Sequence, residues 1–279
     1  RGSRKEFPAV AVIVAEALKV TIYDGDDPAL PMWMVFTDWV VSISSIAAGG
    51  GSLFVARNGS TGGGVARLDF VSGRSILWRV NQSQGGLGGA LSSGDFKGSD
   101  FVAWSGTLPI ILNDAVNDVA MTVLPDAPID YATGLQIPTI AVATAGGVSV
   151  IKDDGTVVDI VATATNYIKV GKIGFLGEEV HFLSDVNNNQ NAVYYVFDIP
   201  TTDLSGVGYY SNDKRTYSGG SIPSLFQTSS ATGTIGSSLV SGLAVGSNLY
   251  GLTKLYENPA EFNTGMVNYT ASSYTSGWM

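Results

Sequence analysis

The sequence predicts an all-β protein built on a recurring unit of roughly 40 residues. Three observations carry that expectation. The chain is rich in Val, Ile, Thr, Tyr and Phe, and its 35 glycines and 10 prolines cut it into short runs, a pattern of pleated strands and tight turns rather than helices. A two-strand phrase returns along the chain. Within it, small residues keep to one strand and aromatic residues to others.

The phrase consists of a strand of small and β-branched residues, a short turn, and a second strand often opened by glycine. Its copies fall at residues 12–16 with 19–23, 53–57 with 64–69, 139–144 with 147–151, 180–184 with 193–197, and 242–246 with 249–255. Further strands read ahead of it at 41–47, 116–123 and 167–175, and behind it at 74–79 and 157–161. Four strands per unit is the make-up of a β-propeller blade. The gap between the second and third copies is wide enough for a degenerate unit around Asp100-Phe101-Val102-Ala103-Trp104. The expected architecture is one β-propeller domain over residues 1–279, with about six four-stranded blades and a range of about five to seven.

Side-chain size fits that plan. Ala15, Ala56, Ala141, Ala143 and Ala244 recur on the first strand of the phrase, where innermost strands would crowd around an axis. Trp33, Trp39, Trp78, Phe175 and Tyr195 would fill the wider spaces between blades, since a radial wedge needs small residues inside and bulky ones outside. A β-sandwich does not require a repeat of this length, and a parallel β-helix needs shorter, more regular coils. Turn chemistry agrees with hairpins: Asp153-Asp154-Gly155 separates two apolar runs, and Asp-Gly accepts the positive φ of a tight turn. The polar tip at 185–191 and the Gly/Ser/Thr-rich stretches 81–98 and 201–236 read as exposed loops.

Composition narrows the function classes. Charged residues make up only 14% of the chain, against roughly 25% in an average globular domain, so surface polarity must come from Ser, Thr, Asn and Gly. A net charge of −9 repels phosphate backbones and anionic lipid, which argues against nucleic acid as a partner. The longest apolar stretch, 8–14, is too short to cross a bilayer, so membrane insertion is not expected. The absence of cysteine removes disulfides, thiolate metal sites and thiol nucleophiles.

Few residues offer chemistry. His181 is the one histidine, sits in a strand-like alternation and has no Ser-His-Asp signature around it. The acidic tip Asp24-Gly25-Asp26-Asp27 supplies hard oxygen ligands, and Asp24, Asp26 and Asp27 form the candidate calcium site, with a solvated turn ahead of Pro28 as the alternative. Asp185, Asn187 and Asn189 copy the opening of an EF-hand, but Gln190 and Val196 stand where that loop needs glycine and glutamate. Gly85-Gly86-Leu87-Gly88-Gly89 lacks the Lys-Ser/Thr ending of a phosphate loop. Asp69, Asp159 and Asp198 could pair across blades for glycoside hydrolysis, but more simply cap hairpins. No cofactor other than calcium is expected, and no catalytic set is assigned.

Two longer phrases carry a likeness. The stretch Ile137-Pro138-Thr139-Ile140-Ala141-Val142-Ala143-Thr144 through Asp153-Asp154-Gly155-Thr156 is one. The closing Gly251-Leu252-Thr253-Lys254-Leu255-Tyr256-Glu257-Asn258-Pro259 is the other, followed by Tyr274-Thr275-Ser276-Gly277-Trp278-Met279. They resemble large tail-fibre or virion structural proteins of bacteriophages. Val14-Ala15-Glu16 and Met32-Trp33-Met34-Val35-Phe36 resemble the first blade of the same region. The resemblance implies a propeller-like segment of a longer polypeptide that precedes laminin-G-like, jelly-roll domains, in an extracellular virion and with no catalytic set. It also implies a homo-oligomer whose partners are other virion proteins and host-surface glycans. The leading expectation is a non-enzymatic tail-fibre module supporting host attachment. The alternatives are a carbohydrate-binding or carbohydrate-cleaving propeller, and a self-assembling filament or surface-layer subunit.

Overall fold

The computed structural model describes residues 7–37, 41–59, 62–80, 84–85, 102–103, 109–162, 169–184, 193–206, 215–217, 234–237, 243–247, 251–255 and 267–269. Among them the chain is all-β and contains no helix. Trp39, Asp185, Asn187, Asn189, most of the glycine-rich run at 85–89 and the closing 274–279 lie outside the described residues.

The strands form five sheets. The first holds β1 (Ala11–Glu16), β2 (Lys19–Asp24) and β3 (Met32–Phe36). The second holds β4 (Ser42–Gly49), β5 (Ser52–Asn58), β6 (Gly64–Asp69) and β7 (Arg74–Trp78), with the short β8 (Gln84–Gly85) and β9 (Val102–Ala103) on its β7 edge. The third is β10 (Val116–Thr122), β11 (Thr139–Thr144), β12 (Gly147–Ile151) and β13 (Val157–Ala162). The fourth begins with β14 (Val170–Leu176), β15 (Glu179–Ser184) and β16 (Val193–Asp198). β17 (Leu204–Gly206) then returns to the edge of the third sheet, and β18 (Arg215–Tyr217) completes the fourth. The fifth is β19 (Thr234–Ser237), β20 (Leu243–Ser247), β21 (Gly251–Leu255) and β22 (Val267–Tyr269). Neighbours within each four-strand meander are antiparallel, whereas β9 and β17 add in parallel to β7 and β13. Val102 and Ala103 therefore extend the second sheet and do not seed the separate unit that the spacing suggested.

The sheets stack face against face. Along β5, Leu53 and Val55 meet Val20, Ile22 and Phe36 of the first sheet, while Phe54 and Ala56 meet Val119, Ile140 and Val142 of the third. Along β11, Ile140 and Val142 face back to the second sheet while Ala141 and Ala143 join Phe175, Phe182 and Tyr195 of the fourth. Side chains alternate faces along a strand. With both faces covered, β5, β11 and β12 are buried almost throughout, and they read as near-continuous apolar runs instead of the alternation of a half-wet sheet. Trp33, Trp78, Phe175 and Tyr195 are all buried between sheets, as their bulk predicted.

Contact from one sheet to the next runs through their first strands: β4 lies against β10, β10 against β14, and β14 against β19. These strands precede the phrase, so the phrase's first strand is second in its sheet. Ala56, Ala141 and Ala143 are wholly buried because they meet a neighbouring sheet face, and Ala15 is exposed. The side chain of Ala244 lies outside the described residues.

Two devices recur from sheet to sheet. Strands β4, β10 and β14 each break register once, between Ile43 and Ser45, between Val116 and Asp118, and between Val170 and Lys172, leaving Ser44, Asn117 and Gly171 as bulged residues at equivalent places. The glycine that opens the phrase's second strand is also explained. Gly64 (φ 116°) and Gly147 (φ 135°) both adopt positive φ, and a Cβ would stand 2.2 Å from the Trp78 carbonyl oxygen at the first and 2.5 Å from that of Ile160 at the second. Only glycine satisfies both the dihedral and the approach.

Candidate functional site

Strands β4, β10 and β14 line an open cavity of about 460 Å³, formed by residues 45–48, 118–121 and 172–175. Aligning the strands on their bulges puts Ser45, Asp118 and Lys172 on one tier. Ala47, Ala120 and Gly174 fall two tiers on, where their small size keeps the strands close. On the polar tier, Lys172 Nζ lies 3.8 Å from Asp118 Oδ2, which also accepts the Ile173 N–H at 3.1 Å. The Asp118 side chain is mostly shielded from water, so a charge-paired and hydrogen-bonded carboxylate is the arrangement that limits its desolvation cost. Asp118 and Lys172 are the titratable side chains of this lining, and they neutralise each other.

Two of the bulged residues tie neighbouring sheets together. Ser44 Oγ donates to the Val116 carbonyl at 2.7 Å, and Asn117 Nδ2 donates to the Val170 carbonyl at 2.7 Å. Donor and acceptor stand at the same relative positions each time: a bulged side chain reaches the carbonyl just ahead of the next sheet's bulge. Asn117 Oδ1 in turn accepts from Asn58 Nδ2 at 2.9 Å, so one side chain bridges three sheets. Close by, the buried Arg57 guanidinium is lowered to about 10, first by burial and then by the adjacent Arg79, which pairs with Asp114 at 3.2 Å.

Turns at one end of the sheets make a rim. The fifteen-residue excursion 124–138 between β10 and β11 is held by its own backbone, with Ile137 N donating to Pro128 O and Asp130 N to Leu135 O, each at 2.8 Å. The Asp130 carboxylate accepts from Ala132 N at 2.9 Å. Tyr131 at the tip is fully exposed, at 103%. The hairpin at 152–156 stands nearby, where Thr156 donates both its N–H and its hydroxyl to Asp154 and holds that carboxyl below the usual range. Between this hairpin and the excursion lies a cleft of about 290 Å³.

The residues singled out in the sequence take separate roles. In the acidic tip, Asp26 accepts from Ala9 N and Val10 N, Asp24 from Asp26 N, and Asp27 from Ala29 N. Those bonds make the tip an N-terminal tether and two turn caps. Among the described residues no group of three or more His, Asp and Glu side chains converges as a ligand set. His181 is buried on β15 with Nε2 3.3 Å from Glu179 Oε2. Asp69 caps the β6–β7 turn through Val71 N and Ser72 N and binds Arg67 at 2.9 Å. Asp159 accepts from Ser149 Oγ at 2.6 Å; its carboxyl is raised, first by burial and also by Asp203. Asp198 is exposed at the end of β16, so the three aspartates considered for glycoside hydrolysis sit on three different sheets.

No protein-family model matches the chain, and no curated protein sequence matches it. Sequence reasoning missed the bulge ties, the cavity and the Tyr131 excursion. For the excursion a signal existed: Pro125, Pro128 and Gly134 punctuate one short polar-apolar stretch, the composition of a built turn.

Proposed function

We propose that this chain is a β-propeller acting as a non-enzymatic structural module of a phage tail fibre or related appendage, with recognition carried by the turns of one rim. The observation that carries the reading is the repeated junction of β4, β10 and β14. Equivalent residues line one cavity, and side chains at equivalent positions clasp the second sheet to the third and the third to the fourth. Successive sheets related in this way are what rotation about a common axis produces. The outer face of the first sheet adds support. Val12, Tyr23 and Met32 sit opposite one another across its strands, with Val14 on the same face. Val12, Val14 and Met32 are 39%, 41% and 51% exposed, and a closing sheet would cover that apolar surface. Low charge and dense packing suit a part whose work is to hold shape. The viral setting rests on the sequence resemblance.

Negative-stain averages of the purified chain should show a ring with a central hole, and antibodies to it should label the appendages of particles that carry it. Averages of an open stack, or particles that take no label, would overturn the corresponding half of the proposal.

A second reading, a carbohydrate-binding or carbohydrate-cleaving propeller, is favoured by Tyr131, an aromatic ring standing free beside Asp130 on a braced loop. Aromatic faces with neighbouring carboxylates suit sugar rings. A glycan array and a polysaccharide turnover assay, both silent, would remove it.

A further inference from the structure

The cleft at the rim opens between the second and third sheets. Its floor is apolar, made by Ile76, Trp78, Pro138, Ile140 and Ile151. Its walls are the excursion 124–138 on one side and the hairpin 152–156 on the other. Of its charged groups, Arg67 is bound to Asp69 at 2.9 Å and also to Ser52 Oγ at 3.0 Å, while Lys152 lies 3.6 Å from Asp154. Both cations are thereby neutralised. Asp130 and Asp153 line the same cleft, and among the described residues neither is paired with a cation.

An apolar floor with an indole in it and two uncompensated carboxylates above is complementary to an amphipathic cation. We infer that this cleft binds a lysine or arginine side chain of a partner polypeptide, the methylene stem lying on the floor and the charged head meeting Asp130 and Asp153. Long basic side chains divide themselves in this way between apolar and charged surroundings. The head gains charge-assisted hydrogen bonds and the field of the indole. The size agrees, since about 290 Å³ is at the bottom of the roughly 300–1,000 Å³ typical of ligand pockets, room for one side chain and not for an extended sugar. A polypeptide is favoured over a free small cation by what surrounds the mouth. The same excursion carries Ile129 and Leu135 with 58% and 38% of their surface exposed, beside the Tyr131 tip, an apolar shoulder that only a larger partner would cover. The inference involves two sheets and their turns alone, so it stands or falls separately from the ring and from the viral setting.

The test is an anisotropy titration of the purified chain with a labelled hexapeptide carrying one lysine between leucines, its Nε-acetyl-lysine twin, and unlabelled maltohexaose as competitor. Saturable binding of the lysine peptide is expected, with the acetylated twin weaker by roughly tenfold or more. Asp130→Asn with Asp153→Asn should weaken the lysine peptide by a similar factor; asparagine keeps the oxygen that accepts from Ala132 N, so the loop is retained. Glu16→Gln with Glu178→Gln removes the same charge from exposed positions on the first and fourth sheets and should change affinity by less than about twofold. Equal binding of the acetylated twin, equal loss in the two charge pairs, displacement by maltohexaose, or no saturable binding up to about 1 mM would each overturn the inference.

Discussion

Replacing Asn117 by alanine removes the side chain that spans three sheets, and the structure sets the scale of the loss. Two hydrogen bonds go: Nδ2 to the Val170 carbonyl at 2.7 Å, and Asn58 Nδ2 to Oδ1 at 2.9 Å. Each is worth about 0.5–1.5 kcal/mol net. The bond to Asn58 is solvent-exposed and belongs at the low end. The bond to Val170 reaches the backbone of a wholly buried residue, where water is poorly placed to substitute, and belongs at the high end. The sum is about 2 kcal/mol, and at roughly 2–4 °C per kcal/mol for a chain of this size the melting temperature should fall by about 4–8 °C. Asn117→Asp sharpens the test, because a carboxylate cannot donate and would face the Val170 oxygen with like charge. It should lose more than alanine at neutral pH and recover as the pH falls toward the ordinary aspartate range near about 4, where a protonated acid regains a donor. Thermal melts followed by tryptophan emission, run from pH 4 to 7, measure both. If Asn117→Ala melts with the parent, or if aspartate and alanine behave alike from pH 4 to 7, the tie between sheets contributes nothing and the clasp reasoning fails.

Gly147→Ala should cost about 2–4 kcal/mol, combining positive-φ strain with displacement of Ile160 O and Leu112 Cδ2, which stand 2.5 and 2.9 Å from the new Cβ. Gly155→Ala meets open space and should lose only the strain, so equal losses in thermal melts would contradict the close approach. Because burial and Asp203 raise the Asp159 carboxyl, the folded state favours its neutral form. Stability from this group is complete at acidic pH and declines as the pH rises through the raised value. Asp159→Asn should be flat over that window and more stable than the parent at pH 7, and a less stable variant would show that the Ser149 hydrogen bond to the charged form dominates. Val14→Lys places a charge on the outer face of the first sheet. If a closing sheet covers that face, urea melts should report a loss of about 1–3 kcal/mol, whereas an unchanged midpoint would mean that the face is open to water.

The five copies of the phrase coincide with β1–β2, β5–β6, β11–β12, β15–β16 and β20–β21 to within a few residues. They were legible because glycine openings and Asp-Gly turns are local signals, and because strands covered on both faces stay apolar throughout. The order of strands within a sheet was less legible. Small residues populate both the phrase's first strand and the strand ahead of it, and the feature that marks the strand ahead, a bulge, falls on Ser44, Asn117 and Gly171, which share no side-chain chemistry. Val102-Ala103 and Leu204–Gly206 join existing edges in parallel, which residue spacing cannot distinguish from new units. In the acidic tip the same residues serve as oxygen ligands and as turn caps, and which amides they accept from depends on where the nearest backbone points, which no local pattern reveals. Cavity and cleft arise from residues far apart in sequence, so no local pattern announced either.

The bulge of the fourth sheet is Gly171, which has no side chain to offer. The series of bulged side-chain ties that begins at Ser44 and continues at Asn117 therefore has no third member at Gly171. A pull across the second-to-third or the third-to-fourth junction would thus have to break a side-chain-to-backbone bond before those sheets could part.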